Sequence, residues 1–254
     1  MRFDNPFLPL ASILVAVWGL GCSTEARNAP AEPATDIVAE NVNRYDIDIT
    51  PKLLAKRESP TEPYLKAYEF DVEQDWFTVN IPVWQAALEP FKGRPGVTYL
   101  EIGCFEGRSA IWMLENILSH KSSEMTCVDP YPDHVGEEVK QRFLANVRLS
   151  GAAERLSLIQ GYSQTALRPL PLDHFDIIYI DGDHRAAPVL EDAVLSWRLL
   201  KQGGIMIFDD YDWEIARPAP DRPRMGVDFF GEAFAPQVEV IHREYQMILK
   251  KVSN

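Results

Sequence analysis

"YLEIGCFEGRSA", Tyr99–Ala110, passes from an apolar run through an acid into two glycines with Cys104-Phe105-Glu106 between them. Upstream, Val97 to Ile102 has the length and composition of a short buried strand. After Gly107, the residues Ala110, Met113, Leu114, Ile117 and Leu118 recur at helical spacing. A strand that turns through glycine into a helix is half of a β-α-β unit. The glycines alone do not separate a plain turn from a loop that lets a ligand approach the backbone. The downstream chain separates them.

That chain repeats the alternation. Met125 to Val128 is a second strand ending at Asp129-Pro130, and a helix from about Glu137 carries Val139, Phe143, Leu144 and Val147. "RLSLIQG" is a third strand, with a short helical segment after Ser163. "FDIIYID", Phe175 to Asp181, is apolar enough to be central and covered on both faces. The next helix sets Val189, Leu190, Ala193, Val194, Trp197 and Leu200 on one stripe and stops at Gly203-Gly204. "IMIFDD" is a fifth strand, and Val238 to His242 and Gln246 to Lys250 are two more, joined by a tight turn. The expected fold is α/β: a doubly wound, mostly parallel, seven-stranded Rossmann-like sheet with an antiparallel C-terminal end.

The N-terminal part reads differently. Residues 1–22 contain an apolar run, Phe7 to Leu20, too short for a comfortable membrane span of roughly 20 residues but suited to a signal segment. Gly21-Cys22-Ser23 resembles a bacterial lipoprotein cleavage site, which makes membrane association through the N-terminus an expectation. Gly19 stands where that pattern has a Leu-like residue. Residues 23–40, rich in Ala, Pro and Glu, read as a flexible linker. Residues 41–96 read as a helical or irregular cap before the main domain, 97–254. Ile81 to Phe91 is a short helix within that cap, with Pro82 in its first turn. Trp76, Phe77 and Trp84 are candidates for a substrate mouth, although packing is the commoner fate of such aromatics.

The composition, 46% hydrophobic and 25% charged over 254 residues, is that of a globular chain with one sizeable core. A net charge of -13 argues against nucleic acid as the main partner, because a surface that tracks phosphates needs excess Lys and Arg. Cys22, Cys104 and Cys127 have neither disulfide density nor zinc spacing, so reduced thiols are expected.

In a doubly wound sheet, ligands bind at the carboxyl ends of the strands, near the point where strand order reverses. This chain ends its strands at Glu101-Ile102-Gly103, Asp129, Gly161-Tyr162-Ser163, Asp181-Gly182-Asp183-His184 and Asp209-Asp210. Acids scattered at random would fall on helices and both sheet edges. Their concentration at one rim marks a site.

Together, "EIGCFEGRSA", "CVDP", the Ser after strand three, "YIDGDH" and "GGIMIFDDYDW" resemble the class I S-adenosylmethionine-dependent methyltransferases. The nearest likeness is to the methyltransferase-domain subgroup related to macrocin-type and catechol-type O-methyltransferases. It covers about Val97 to the C-terminus, with the five segments in order. The glycine spacing departs from the usual alternate-glycine loop. The resemblance implies that Gly103 lets the backbone approach the methionine part of S-adenosylmethionine, and that Gly107 to Ser109 open a helix favouring its carboxylate. It implies that Glu101, Asp181 or both answer the positive charges, Asp129 the ribose hydroxyls and Ser163 the adenine. On this reading "GCFEG" is a cofactor loop.

In metal-dependent relatives an acid after strand four and a pair after strand five hold a divalent ion; the matching positions are Asp181, Asp209 and Asp210. Mg²⁺ or a similar cation takes oxygen ligands of this kind, and would relieve the repulsion among converging acids. Asp183 and His184 are both candidates for the base that deprotonates the acceptor hydroxyl. The implied reaction is O-methylation of a small molecule, a sugar or phenol. Three other readings stand beside it: a metal-independent methyltransferase, an anchored binding protein on the same fold, and a nicotinamide-dependent enzyme. The last lacks its G-x-G-x-x-G signature here.

Overall fold

Thr98–Ile102 (β1) is flanked by parallel strands on both sides, Glu124–Asp129 (β2) and Phe175–Ile180 (β4). The computed structural model describes residues 40–41, 68–71, 73–132 and 136–254. Beyond β2 lies Leu156–Gln160 (β3), parallel to it. Beyond β4 lies Leu200–Phe208 (β5), also parallel, then Met247–Lys251 (β7), antiparallel to β5, and Val238–Arg243 (β6) at the edge. The strand order is β3-β2-β1-β4-β5-β7-β6, and a two-residue strand, Glu40–Asn41, adds antiparallel to β3 as an eighth. The mostly parallel sheet with an antiparallel C-terminal end is therefore as the sequence implies.

Both faces of the sheet are covered because successive strand residues point to opposite sides. Tyr99, Ile177, Tyr179, Ile205 and Ile207 pack in one cluster; Leu100, Ile178, Ile180, Met206 and Phe208 pack in the other. The first face carries Ile81–Leu88 (α1), Arg108–Asn116 (α2) and Glu137–Leu149 (α3). The second carries Ala186–Trp197 (α5) and Pro223–Ala233 (α6), with the short Ser163–Ala166 (α4) beside them. Each wholly buried Leu or Ile contributes about 2 kcal/mol.

The described part of the cap shares the first of these cores. Phe77, Trp84, Leu88 and Phe91 are buried there, while Trp76 stays 64% exposed. The aromatic trio thus divides: two pack, and one is left at the surface.

One boundary differs from the sequence reading. α5 ends at Trp197, and β5 begins at Leu200 and runs through Gly203-Gly204. The glycines are an irregular stretch of strand rather than a helix stop. Gly203 has φ +83°, and a Cβ on Gly204 would lie 2.9 Å from Asp176 O, beside the register shift between β4 and β5. The signal-like segment, residues 1–22, and nearly all of the linker lie outside the described residues. Among those described, no helix is long and apolar enough to cross a membrane.

Candidate active site

Strand order reverses between β1 and β4, and the chain crosses tightly there. Asp181 N donates to Ile102 O at 2.8 Å, Gly103 N to Val128 O at 2.9 Å, and Asp209 N to Ile180 O at 3.0 Å. These bonds carry the ladder past the strand ends and set Gly103, Asp129, Asp181 and Asp209 on one rim. Gly103 has φ +85°, and a Cβ there would stand 1.9 Å from Asp181 O. Only glycine fits.

The loop after Gly103 is shaped by Asp129. Its Oδ2 accepts from the amides of Cys104 (2.9 Å) and Phe105 (3.0 Å), and its Oδ1 from the amide of Tyr131 (2.8 Å). Gly107, at φ +83°, then caps α2. A cleft of about 690 Å³ opens over this loop, lined by Ile102, Gly103, Val128, Asp129 and Ser163 at one end and by Asp181, Asp183, His184, Asp209 and Asp210 at the other. Gly103, Ser109 and Asp181 also line a smaller adjoining recess.

Two expected residues are otherwise engaged. Glu101 is wholly buried and is not among the cleft's lining residues. Tyr99 donates to it at 2.8 Å and Ser109 at 2.5 Å. Burial pushes its carboxyl up to about 8, which favours the uncharged form in the ligand-free protein. The Ser109 hydroxyl is likewise spent on Glu101. Ser163 does line the cleft, as does Asp192, an acid the sequence reading missed; burial holds Asp192 up at about 7.

The acidic corner is tightly wired. Asp209 accepts from Tyr179 on Oδ2 at 2.5 Å, and on Oδ1 from Gln246 Nε2 and the Asp210 amide, both at 2.9 Å. Asp181 Oδ2 lies 3.0 Å from the same Tyr179 hydroxyl. Burial, then the neighbouring carboxylates, push both Asp181 and Asp209 up from the usual acid range. Asp210 has φ +56°, and its Oδ2 meets His184 Nδ1 at 2.5 Å while Tyr245 donates to its Oδ1. The bond to Asp210 raises the His184 pKa. Ligand atoms of Asp181, His184 and Asp210 all lie within 4.8 Å of one another. Asp209 stands at the same rim with both oxygens already bonded.

Asp183 lines the cleft but turns to Arg185, which donates from Nε at 2.9 Å and from Nη2 at 2.5 Å. That bond holds its carboxyl below the usual value. Trp213 and Tyr245 complete the walls of this end, with the Trp213 ring 5.1 Å from His184; Trp76 stands further along, over Phe105.

Tyr179, Tyr245 and Gln246 were not anticipated. Tyr179 was legible in "YID", since residues two apart on a strand share a face. Tyr245 and Gln246 follow from the antiparallel pairing of β5 with β7. That pairing sets Met247 opposite Phe208, so the preceding turn falls beside Asp209-Asp210.

Residues 100–211 match the family model described as "Methyltransferase domain". Over these residues the chain is similar to a methyltransferase domain, and its fold is similar to that of S-adenosylmethionine-dependent methyltransferases. The methyltransferase domain is 34% identical over 120 residues to an uncharacterised protein of Acanthamoeba polyphaga mimivirus, covering 45% of this chain and 52% of that one. It is 32% identical over 111 residues to an O-methyltransferase of Aspergillus hancockii, covering 44% and 41%. The chain spans about half the length of the curated relatives it matches. In fold it is similar to the O-methyltransferase TomG of Streptomyces achromogenes, solved in complex with S-adenosylmethionine. The TM-score is 0.53 at 16% identity, covering 83% of this chain and 94% of that one.

Proposed function

We propose that this protein transfers a methyl group from S-adenosylmethionine to a hydroxyl of a small ring-bearing acceptor, a sugar or phenol, with a divalent cation assisting. The observation that carries the reading is the convergence of Asp181, His184 and Asp210 at the floor of the methyltransferase cleft. The two carboxylates suit Mg²⁺ or Mn²⁺, and the imidazole adds a nitrogen ligand that a transition metal takes more readily than Mg²⁺; Asp209, its oxygens filled, supports these three residues from behind.

S-adenosylmethionine supplies a methyl group on a positively charged sulfur, which leaves as a neutral thioether when the new O–CH₃ bond forms. The Gly103 turn would give it close backbone approach, and Asp129 and Ser163, both on the cleft wall, are assigned to its ribose and adenine. Asp181, His184 and Asp210 would hold the cation, whose charge would lower the pKa of an acceptor hydroxyl bound to it. Asp183, on the cleft wall, would take the hydroxyl proton on release from Arg185, whose bonds to both of its oxygens otherwise hold it a weak base. Trp213 and Tyr245 offer flat faces to a ring.

The His184–Asp210 contact favours a second reading. With Nδ1 held by a carboxylate, His184 is an oriented base and needs no cation. Calorimetric titration with S-adenosylhomocysteine, alone and with Mg²⁺, tests both. Binding that weakens in Asp129→Ala supports the cofactor site, and Mg²⁺ binding lost in Asp210→Ala supports the cation. No binding of S-adenosylhomocysteine overturns the function. Binding without any Mg²⁺ response leaves the His184 reading.

A further inference from the structure

We infer that Trp84 and Gln246 are positioning residues that set the Asp209-Asp210 corner for a cation from outside the cleft. Trp84 lies on α1, far along the chain from the acids, and has no exposed surface; Gln246 is 1% exposed. The Trp84 Nε1–H donates to Gln246 Oε1 at 2.8 Å, and Gln246 Nε2 donates to Asp209 Oδ1 at 2.9 Å.

The direction of this chain is forced. An indole nitrogen can only donate, so it takes the oxygen end of the amide and leaves the N–H end for the carboxylate. A free glutamine could present either end. Turned the other way, it would set oxygen against oxygen in a buried place.

The consequence reaches the next residue. Asp209 Oδ1 also accepts from the Asp210 amide at 2.9 Å, and Asp210 sits at φ +56°, a left-handed conformation that costs a non-glycine residue energy. Holding Asp209 therefore holds the turn that aims Asp210 at His184. Trp84 supports the same acid a second way, packing edge-on against Tyr179 with ring centres 4.8 Å apart. Tyr179 is the other side-chain donor to Asp209. A cap helix is thereby tied to the acids at the rim. Groups that orient a metal's ligands without touching the metal set its affinity nearly as strongly as the ligands do.

The inference rests on the cation reading of Asp181, His184 and Asp210. Its test uses the full chain, with Mn²⁺ as the probe read by paramagnetic resonance, S-adenosylhomocysteine affinity read by calorimetry, and thermal unfolding read alongside. Gln246→Glu keeps size and the bond from Trp84 but turns an oxygen to Asp209. Trp84→Phe keeps most of the packing and frees the amide to flip. Mn²⁺ affinity should fall about 10–100-fold in Gln246→Glu, and by less in Trp84→Phe, with S-adenosylhomocysteine affinity unchanged. Wild-type Mn²⁺ affinity in both variants overturns the positioning role. So does a parallel loss of Mn²⁺ affinity, S-adenosylhomocysteine affinity and melting temperature, which is what a purely structural pair would show. A wild type that binds no Mn²⁺ overturns the cation reading and this inference with it, and that outcome is distinct because it is seen before any substitution.

Discussion

The Tyr179 hydroxyl stands between two carboxylates, 3.0 Å from Asp181 Oδ2 and 2.5 Å from Asp209 Oδ2. A phenol has one proton to give, so it cannot donate to both at once. The second contact is satisfied when one of the acids is itself protonated, which agrees with the raised pKa of each. Without a cation the corner therefore favours an added proton, which a cation would oppose.

Tyr179→Phe should destabilise the cation-free protein by about 1–3 kcal/mol at neutral pH, the usual effect of leaving a buried acceptor unsatisfied. The sign with pH follows from the raised values. Stability is fully present below the ordinary carboxyl pKa of 3.8 and is lost as pH rises through the raised ones. Removing a donor to the charged form enlarges that loss, so the deficit grows with pH. Urea denaturation at several pH values reads it, and a deficit that shrinks as pH rises would remove the shared-proton account.

Glu101→Gln should behave in the opposite sense. Glu101 rises from 4.5 to about 8 on folding because it is buried, so the unfolded chain releases its proton first. The wild type then loses about 1.4 kcal/mol per pH unit from this group across that window, and the amide loses none. The stability of Glu101→Gln relative to wild type should climb from pH 5 to pH 8 in urea titrations. A flat difference would place an ionised Glu101 in the core.

Gly103→Ala and Gly107→Ala separate the two glycines of the loop. Both have positive φ, but the added Cβ at Gly103 meets backbone, Asp181 O at 1.9 Å, whereas at Gly107 it meets the Phe143 ring at 2.7 Å. A ring can move and a strand-end carbonyl in the sheet cannot. Gly107→Ala should fold with a loss of about 1–3 kcal/mol, and Gly103→Ala should lose S-adenosylhomocysteine binding or the fold itself. Circular dichroism and calorimetry check the order, and equal stability of the two would contradict it.

The strands and the rim were legible because each depends on local pattern. An apolar strand ending in an acid, repeated along the chain, can only place those acids at one edge of a parallel sheet. The partners of the acids were not legible in the same way. Gln246 lies 37 residues from Asp209, and Trp84 lies 162 from Gln246. What joins them is the antiparallel return of β7 and the docking of α1, neither of which leaves a spacing signal. The burial of Glu101 was hidden for the converse reason. Its place beside the glycine loop is right for a ligand contact, but Glu101 shares the Tyr99 face of β1, and Tyr99 and Ser109 close over it.

His184 separates the two mechanistic readings, because the same side chain is a cation ligand in one and the base in the other. Its hydrogen bond to Asp210 raises its pKa above 6.5 in the cation-free protein. The stabilisation from that pair is thus fully present below pH 6.5 and is lost as pH rises through the raised value. Asp210→Asn should bring the His184 titration, followed by its imidazole proton resonance, back down. Saturating Mg²⁺ should do so more strongly if the ion sits among Asp181, His184 and Asp210, since a doubly charged ligand opposes protonation of a coordinated nitrogen. A His184 titration that responds to Asp210→Asn but is indifferent to Mg²⁺ would leave the histidine as an oriented base and take the cation out of the mechanism.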